Sequence, residues 1–448
     1  MKSFVKKIFA VTSVVVCLVC SLSAQITTGE LSGKQVNTIT TAVPFLLITP
    51  DSRAGGMGDV GAASSPDANS IHWNPAKLAV VDKRMGLSIS YTPWLHALVP
   101  DIRLMYLSGY YKLKKDQTIA TSMRYFSLGD ITFTDINGTN TGQFRPNEFA
   151  LDFAYARKLA TNWSGGMALR YLNSNLTGGI TVQGSATHPG RTVAADISTF
   201  YNKKDIKVGG KKSAATAGIV ISNIGAKISY SDKKDRDFIP INLRLGSGLT
   251  IELDDYNSVS FIGEINKLLV PTPPIYATES NGAPVLNADG SQTVLAGKDP
   301  DRGVAEGMFG SFSDAPGKPL KNEDGEYIYT NSDSSAVEIQ KGSVFKEELR
   351  EFNYSIGMEY WYDKQFAFRF GYYHEDATKG NRKFFTIGAG LKYNVFGLDF
   401  AYLIPTSQRH PLANTLRFTL LFDFEAFKSQ NKEKEPEAQP EYLIPDSK

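Results

Sequence analysis

The chain has 448 residues, with 48 basic and 46 acidic side chains, 42% apolar residues, 11% aromatics, 39 glycines and 2 cysteines. The near-neutral balance excludes a nucleic-acid binder driven by bulk charge, the cysteine count excludes a disulfide-stapled mini-protein, and the apolar content excludes an intrinsically disordered chain. The length suits either two or three soluble domains or one large barrel, so the pattern along the chain must decide.

Residues 1–24 read as a signal peptide. Lys2, Lys6 and Lys7 form a positive start, Ile8 to Leu22 is apolar, and Leu22-Ser23-Ala24 before Gln25 has the small-residue spacing of a cleavage site. A permanent helical anchor fits less well, because the apolar run is short and no stop-transfer charges follow. Cys17 and Cys20 both fall inside this segment, so the exported chain is expected to carry no thiol, disulfide or cysteine-metal site.

Residues 25–85 are rich in Gly, Ala, Ser and Asp and read as a compact N-terminal hatch. The stretch Gly55-Gly56-Met57-Gly58-Asp59-Val60-Gly61 contains a formal G-x-G-x-x-G from Gly56 to Gly61, followed by His72-Trp73-Asn74-Pro75-Ala76-Lys77-Leu78. A dinucleotide site needs a strand before the glycines and a helix after them. Pro50 and Pro66 interrupt both, so no cofactor is assigned. Gly55, Gly56, Gly58, Trp73, Asn74 and Pro75 are instead expected to fold the hatch tightly.

From residue 86 to 427 the pattern is strict alternation, as in Phe149-Ala150-Leu151-Asp152-Phe153-Ala154-Tyr155 and Phe366-Ala367-Phe368-Arg369-Phe370-Gly371-Tyr372. Successive strand side chains point to opposite faces, so each such segment has one oily side. Fourteen segments are expected near 86–92, 103–113, 117–128, 147–157, 163–174, 191–202, 213–223, 241–253, 258–270, 350–361, 365–374, 383–393, 396–403 and 414–424. At about 3.3 Å per residue and a tilt near 40°, about ten residues span roughly 25 Å, the apolar height of an outer-membrane barrel. Links after even-numbered strands are mostly tight, as at 114–116 and 362–364, although 203–212 is longer. Links after odd-numbered strands are mostly long. That parity predicts an all-β transmembrane antiparallel barrel whose two rims meet different compartments, with extracellular loops and periplasmic termini.

Aromatics gather near strand ends, among them Tyr91, Tyr111, Tyr125, Tyr362 and Tyr372, as expected of belts at the headgroup level. The polar faces repeatedly carry glycine, at Gly246, Gly248, Gly357, Gly371, Gly388 and Gly390, where a missing side chain would admit other backbone from within the lumen. Asp152, Arg170, Arg244, Glu252, Glu359, Arg369, Lys392, Asp399, Arg417 and Asp423 are candidate lumen charges, neutralising one another across strands.

The link 271–349 is long enough to be functional. Gly282-Ala283-Pro284-Val285-Leu286-Asn287-Ala288-Asp289-Gly290 and Gly317-Lys318-Pro319-Leu320-Lys321-Asn322-Glu323-Asp324-Gly325 share G-x-P-x-x-N-x-D-G, which predicts two exposed hairpins. Asn287, Asp289, Asn322, Asp324, Tyr327 and Tyr329 are candidate binding residues there, with open hairpin edges for a partner strand. A calcium loop through the same Asn and Asp oxygens lacks the twelfth-position Glu and the full ligand spacing, so no metal is assigned. Trp94, Leu95 and Leu98 in the apolar loop 93–100 are further binding candidates. His72, His96, His188, His374 and His410 form no H-x-x-x-H pair, and no G-x-S-x-G elbow is present. No catalytic residues are named. Residues 428–448, charged and bearing Pro436, Pro440 and Pro445, read as a flexible periplasmic tail.

The Arg53-Ala54-Gly55-Gly56-Met57-Gly58 and Trp73-Asn74-Pro75-Ala76 elements resemble the hatch of FadL-type outer-membrane barrels. The longer run from Pro44-Phe45-Leu46-Leu47-Ile48-Thr49-Pro50-Asp51-Ser52-Arg53 to Leu78 is similar to the PorV family of the type IX secretion system. The resemblance implies a non-enzymatic barrel that binds the C-terminal signal domains of secreted cargo at the translocon. It also implies delivery to the cell-surface sortase PorU with the attachment proteins PorQ and PorZ. The alternative is a FadL-like transporter of long-chain fatty acids or other hydrophobic solutes.

Overall fold

A computed structural model describes residues 36–424, except 97, 135–136, 180, 183–184, 232–235, 280–282, 324–325, 332–335 and 408–410. The expected signal peptide and tail lie outside the described residues.

The alternating segments form one closed antiparallel barrel of fourteen strands, each paired with its sequence neighbours. They are β1 Met85–Pro93, β2 Arg103–Lys114, β3 Gln117–Ser127, β4 Asn147–Lys158, β5 Trp163–Asn175, β6 Gly190–Val208, β7 Lys211–Gly225, β8 Asn242–Glu252, β9 Asn257–Leu268, β10 Phe352–Tyr362, β11 Phe366–His374, β12 Lys383–Tyr393, β13 Phe396–Pro405 and β14 Leu416–Asp423. Closure is made by β1 against β14, from Gly86 opposite Asp423 to Tyr91 opposite Phe418. A closed sheet leaves no unpaired edge, which is what permits strands to stand in a membrane.

The period of two decides what each face meets. On β5, Met167 and Leu169 are 60% and 68% exposed while Ala168 between them is 1% exposed. Val193 and Ile197 on β6, Ile356 on β10 and Phe368 on β11 are likewise outward and exposed, giving the apolar outer band. Because neighbours alternate, only one member of each adjacent aromatic pair reaches that band. Tyr111 is exposed whereas Tyr110 packs inward against Tyr106, Ile71 and Leu78. Among the described residues no helix is long and apolar enough to cross a membrane.

Turns at one rim are short, as at 115–116, 363–365 and 394–395, and links at the other include 128–146, 226–241 and 269–351. The link expected at 203–212 is a strand extension instead. β6 and β7 continue as a ribbon to a two-residue turn at Gly209–Gly210, with register shifts near Asp196 and between Lys203 and Ile206.

The expected periplasmic termini lie outside the described residues. Asn37 sits at the long-loop rim, where its backbone N–H donates to Thr378 O at 2.9 Å and its side chain donates to Pro273 O and Glu347 Oε1 at 3.0 and 3.1 Å. From there the hatch descends the lumen and joins β1 at the short-turn rim. It carries short helical turns, Pro44–Leu47, Ser52–Gly55, Ser70–Trp73 and Pro75–Val80. Val43, Phe45 and Leu46 pack on Leu104, Phe126 and Leu172 toward the long loops. Ile71, Leu78, Ala79 and Val81 pack on Tyr106, Ala120, Ala156 and Ala168.

Candidate functional site

The lumen is filled by the hatch. Glycine on the inner wall makes the fit possible: a Cβ at Gly357 would stand 2.6 Å from Met57 O, and one at Gly371 would collide with Gly58 N and Met57 C. Gly218, Gly246, Gly248 and Gly388 make similar room for Ala62, Ala63 and Gly56. Gly58 itself adopts φ +70° with Tyr372 N only 2.7 Å from where a Cβ would be, so both conformation and space demand glycine. The wall glycines named from the alternation thus admit the hatch, except Gly390, where a Cβ would meet the Asp399 and Arg369 side chains of the wall itself.

Between the apolar contacts lie buried charges. Arg53, from the hatch, donates to Glu359 on β10 through Nε and Nη2 at 2.9 and 2.8 Å, and pairs with Asp67 at 2.8 Å. Arg369 on β11 bridges the same Glu359 at 2.9 Å to Asp399 on β13 at 2.7 Å. A second group joins Arg170 to Asp152 at 2.6 Å and to Asp196 at 3.0 Å. Glu264 on β9 accepts from the backbone N–H groups of Gly61 and Ala62, both at 2.8 Å, and from Arg244 at 3.4 Å. Each of the charges in these groups is paired, which offsets the cost of its burial.

The hatch residues named from sequence come together here. The Asp51 carboxylate accepts from Ala54 N at 2.9 Å, capping the Ser52–Gly55 turn, and from Trp73 Nε1 at 2.6 Å. Asn74 donates to Ala62 O at 2.9 Å and Thr199 O at 3.1 Å, and its Oδ1 accepts from Ala76 N across Pro75. Gly55 lies against the Arg417 side chain, which pairs with Asp59 at 3.2 Å. Two expected lumen charges fall elsewhere. Glu252 is exposed at the end of β8, and Asp423 pairs with Lys83 at the short-turn rim, because both lie beyond the height the hatch fills. Lys392 lies 4.4 Å over the Trp361 ring.

Above the hatch, a vestibule of about 510 Å³ opens among the long loops. Its wall mixes Phe45, Trp94, Phe126 and Leu403 with Arg244, Glu351, Glu375, Lys379, Arg382 and Arg417. Trp94 and Leu95 pack inward on Tyr373, Phe384, Leu403 and Leu412, whereas Leu98 is 63% exposed.

The two G-x-P-x-x-N-x-D-G segments build related structures. Leu286 bridges Gln292 in the first and Lys321 bridges Tyr327 in the second, at equivalent positions. The first hairpin is joined by the upstream segment at Ile275 and Tyr276, the second by the downstream segment at Val337 and Ile339. Each set of three segments pairs mutually, so the open hairpin edge expected from sequence is absent among the described residues. Asn287 and Asp289 are occupied in the turn itself: Asp289 Oδ1 accepts from Ser291 N at 2.9 Å, and Asn287 Oδ1 accepts from Thr293 Oγ1 at 2.8 Å. Asn322 Oδ1 accepts from Glu326 N at 2.8 Å. Tyr327 lies under Lys321 Nζ at 4.7 Å, and Tyr329 is 44% exposed. Asp324 and His410 lie outside the described residues.

The long link is fastened to the rim by charges. Lys267 Nζ meets Glu351 Oε2 at 2.5 Å, Lys379 Nζ meets Glu347 and Glu351 at 2.8 and 3.0 Å, and Thr272 Oγ1 donates to Glu351 at 2.8 Å. Burial pushes the Asp314 and Glu348 carboxyls above their ordinary range, with Glu351 adding to the effect. A raised carboxyl pKa stabilises the fold fully below its unfolded value, and that contribution is lost as pH rises through the folded value. Hydrogen exchange in 311–316 and 343–351, corrected for its intrinsic pH dependence, is therefore expected to be slower near pH ~4 than near pH ~8. Equal protection at both would count against it.

Arg53, Asp67, Asp196 and Glu264 were not singled out in the sequence, nor was Arg124 on β3, which donates to the hatch carbonyls Phe45 O and Leu46 O at 3.3 and 2.8 Å. Asp196 and Glu264 share strand parity with Ser198 and Asn266, so alternation could have found them. Arg53, with a partner 306 positions away, carried no local signal.

A family model described as "Type IX secretion system protein PorV" matches residues 31–275, more than half of the chain. No curated protein sequence matches. Solved structures similar in fold include the toluene transporter TbuX of Ralstonia pickettii, 12% identical over 84% of this chain and 96% of that one, TM-score 0.39. A FadL homologue of Pseudomonas aeruginosa is 11% identical over 87% of this chain and 100% of that one, TM-score 0.40.

Proposed function

Since this chain belongs to the PorV family of type IX secretion system proteins, we propose that it is a plugged outer-membrane shuttle for exported cargo. It binds the C-terminal signal domain of cargo leaving the translocon and presents it to the cell-surface sortase PorU, with PorQ and PorZ. The long-loop rim faces the cell exterior in this reading, and the protein does no chemistry of its own.

The observation that supports it best is the filled lumen beneath a wide rim. A polypeptide has no path through a barrel whose hatch touches wall backbone at Gly357 and Gly371, so cargo is engaged at the rim and not conducted. The vestibule's seven charged side chains, Asp59 among them, offer a protein surface polar contacts that an oily solute would not use. Transport of long-chain fatty acids or other hydrophobic solutes is the second reading, favoured by Trp94, Phe126 and Leu403 in the same wall.

Deleting the gene is expected to leave cargo with its signal domain uncleaved and unanchored, as read by mass spectrometry of cell-surface and culture fractions. Normal cargo processing together with impaired fatty-acid uptake would reverse the ranking.

A further inference from the structure

The short-turn rim carries a feature that cargo capture at the opposite rim does not use. β6 pairs with β5 as far as Tyr201 opposite Trp163, and β7 pairs with β8 from Ser213 opposite Ile251. Beyond that level β6 and β7 pair with each other as a twisted ribbon, with Lys203 opposite Ala215, Ile206 opposite Ser213, Lys207 opposite Lys212 and Val208 opposite Lys211, closed by Gly209 and Gly210 at φ +56° and +78°. Trp163 and Tyr201, 5.0 Å apart, stand at its base as ring anchors of the headgroup level. By strand rise, its tip stands roughly 15–20 Å beyond them.

The ribbon carries Lys203, Lys204, Lys207, Lys211 and Lys212 with one acid of its own, Asp205; Lys204 also lies 3.9 Å from Asp82, and Lys211 Nζ donates to Leu253 O at 2.8 Å. Lys207 and Lys212 face each other on one rung, a like-charge pair that weakens a ribbon standing alone. Asp205 reaches Lys212 at 3.6 Å with both side chains exposed, which offsets little. The two preceding short turns continue the charge with exposed Lys114, Lys115, Arg157 and Lys158. On the far side the short turns carry Asp254, Asp255 and Asp363 with Lys364 and Lys392, whereas the near side sets nine cations of the ribbon and the two turns against Asp82, Asp116 and Asp205, so the net positive charge lies on one arc of the rim.

This asymmetry separates two anionic partners. Lipid headgroups surround the barrel on every side and reach only about 5–8 Å beyond the hydrocarbon, so they would favour a ring of cations close to the aromatic level. A one-sided arc ending in a ribbon that clears the headgroups matches a localised surface in the aqueous compartment. Lysines along a strand also discourage pairing with a foreign strand, so recognition is by charge. We propose that the 203–212 ribbon, with the Lys114–Lys115 and Arg157–Lys158 turns, is a docking site for an acidic protein surface on the short-turn side of the membrane.

The test places a photo-crosslinking amino acid at Val208, 38% exposed near the tip, in the full-length protein in living cells. A protein adduct mapping to a net-acidic segment of the partner is expected. Lys203, Lys207, Lys211 and Lys212 replaced together by Gln should lower it about tenfold, with barrel assembly checked by heat-modifiable gel migration. Raised salt in permeabilised cells carrying the unmodified ribbon should lower the adduct too, a readout that needs no variant. Lipid adducts alone, no adduct, or a protein adduct indifferent to both salt and lysine removal would overturn the proposal.

Discussion

Replacing Arg53 by alanine is expected to free the hatch while leaving the barrel wall assembled. The guanidinium makes paired bonds to Glu359, an ion pair to Asp67 and a bond to Ser65 O at 3.0 Å. Glu359 keeps Arg369 after the substitution, but Asp67 loses its partner inside the lumen. Breaking a fully buried pair by removing one side costs about 3–5 kcal/mol, and the cost here falls below that range because the Asp67 side chain is 20% exposed and keeps the bond from Asn69 N at 2.9 Å. The wall's ladder hydrogen bonds do not involve Arg53, so the loss falls on the hatch. Limited proteolysis should cut within 36–84 in R53A and spare the wild type, with heat-modifiable migration unchanged in both. Arg53→Lys keeps the charge without the planar fork and should fall between them. A hatch in R53A as protected as in the wild type would show that glycine packing alone holds it.

The barrel and the interior glycines were legible in the sequence because both follow from a period of two. Gly371 shares parity with Arg369 and Tyr373, so reading Phe366 to Tyr372 as a strand already places it on the inner face. Ion-pair partners were legible only where they lie on neighbouring strands. Asp152 sits directly opposite Arg170, and Glu359 opposite Arg369. Arg53 reaches Glu359 through the third dimension, which periodicity does not encode. The link at 203–212 misled for a related reason: five lysines and two glycines read as a loop, and cross-strand pairing overrides that composition once β6 and β7 are held side by side. In the long link, the Asn287 and Asp289 oxygens accept bonds within the turn, as Asx side chains between two strands commonly do.

Gly371→Val is expected to displace the hatch from the opposite direction. The residue lies on β11 between Gly357 of β10 and Thr386 of β12, and the Thr386 hydroxyl accepts from Gly58 N at 2.8 Å. A β-branched side chain suits a strand, so the wall gains local propensity. The same side chain enters space held by the backbone of Met57 and Gly58, which has no rotamer to change. Overpacking of a tight site costs roughly 1–3 kcal/mol even where side chains can adjust, so the hatch is the part that gives way. Gly263→Val on β9 is the control, since a Cβ there meets nothing within 4 Å. Reconstituted in planar bilayers, G371V should conduct ions where the wild type and G263V stay closed. Conductance in both variants would mean that wall distortion opens the pore, and conductance in neither would mean that the hatch yields without unsealing the lumen.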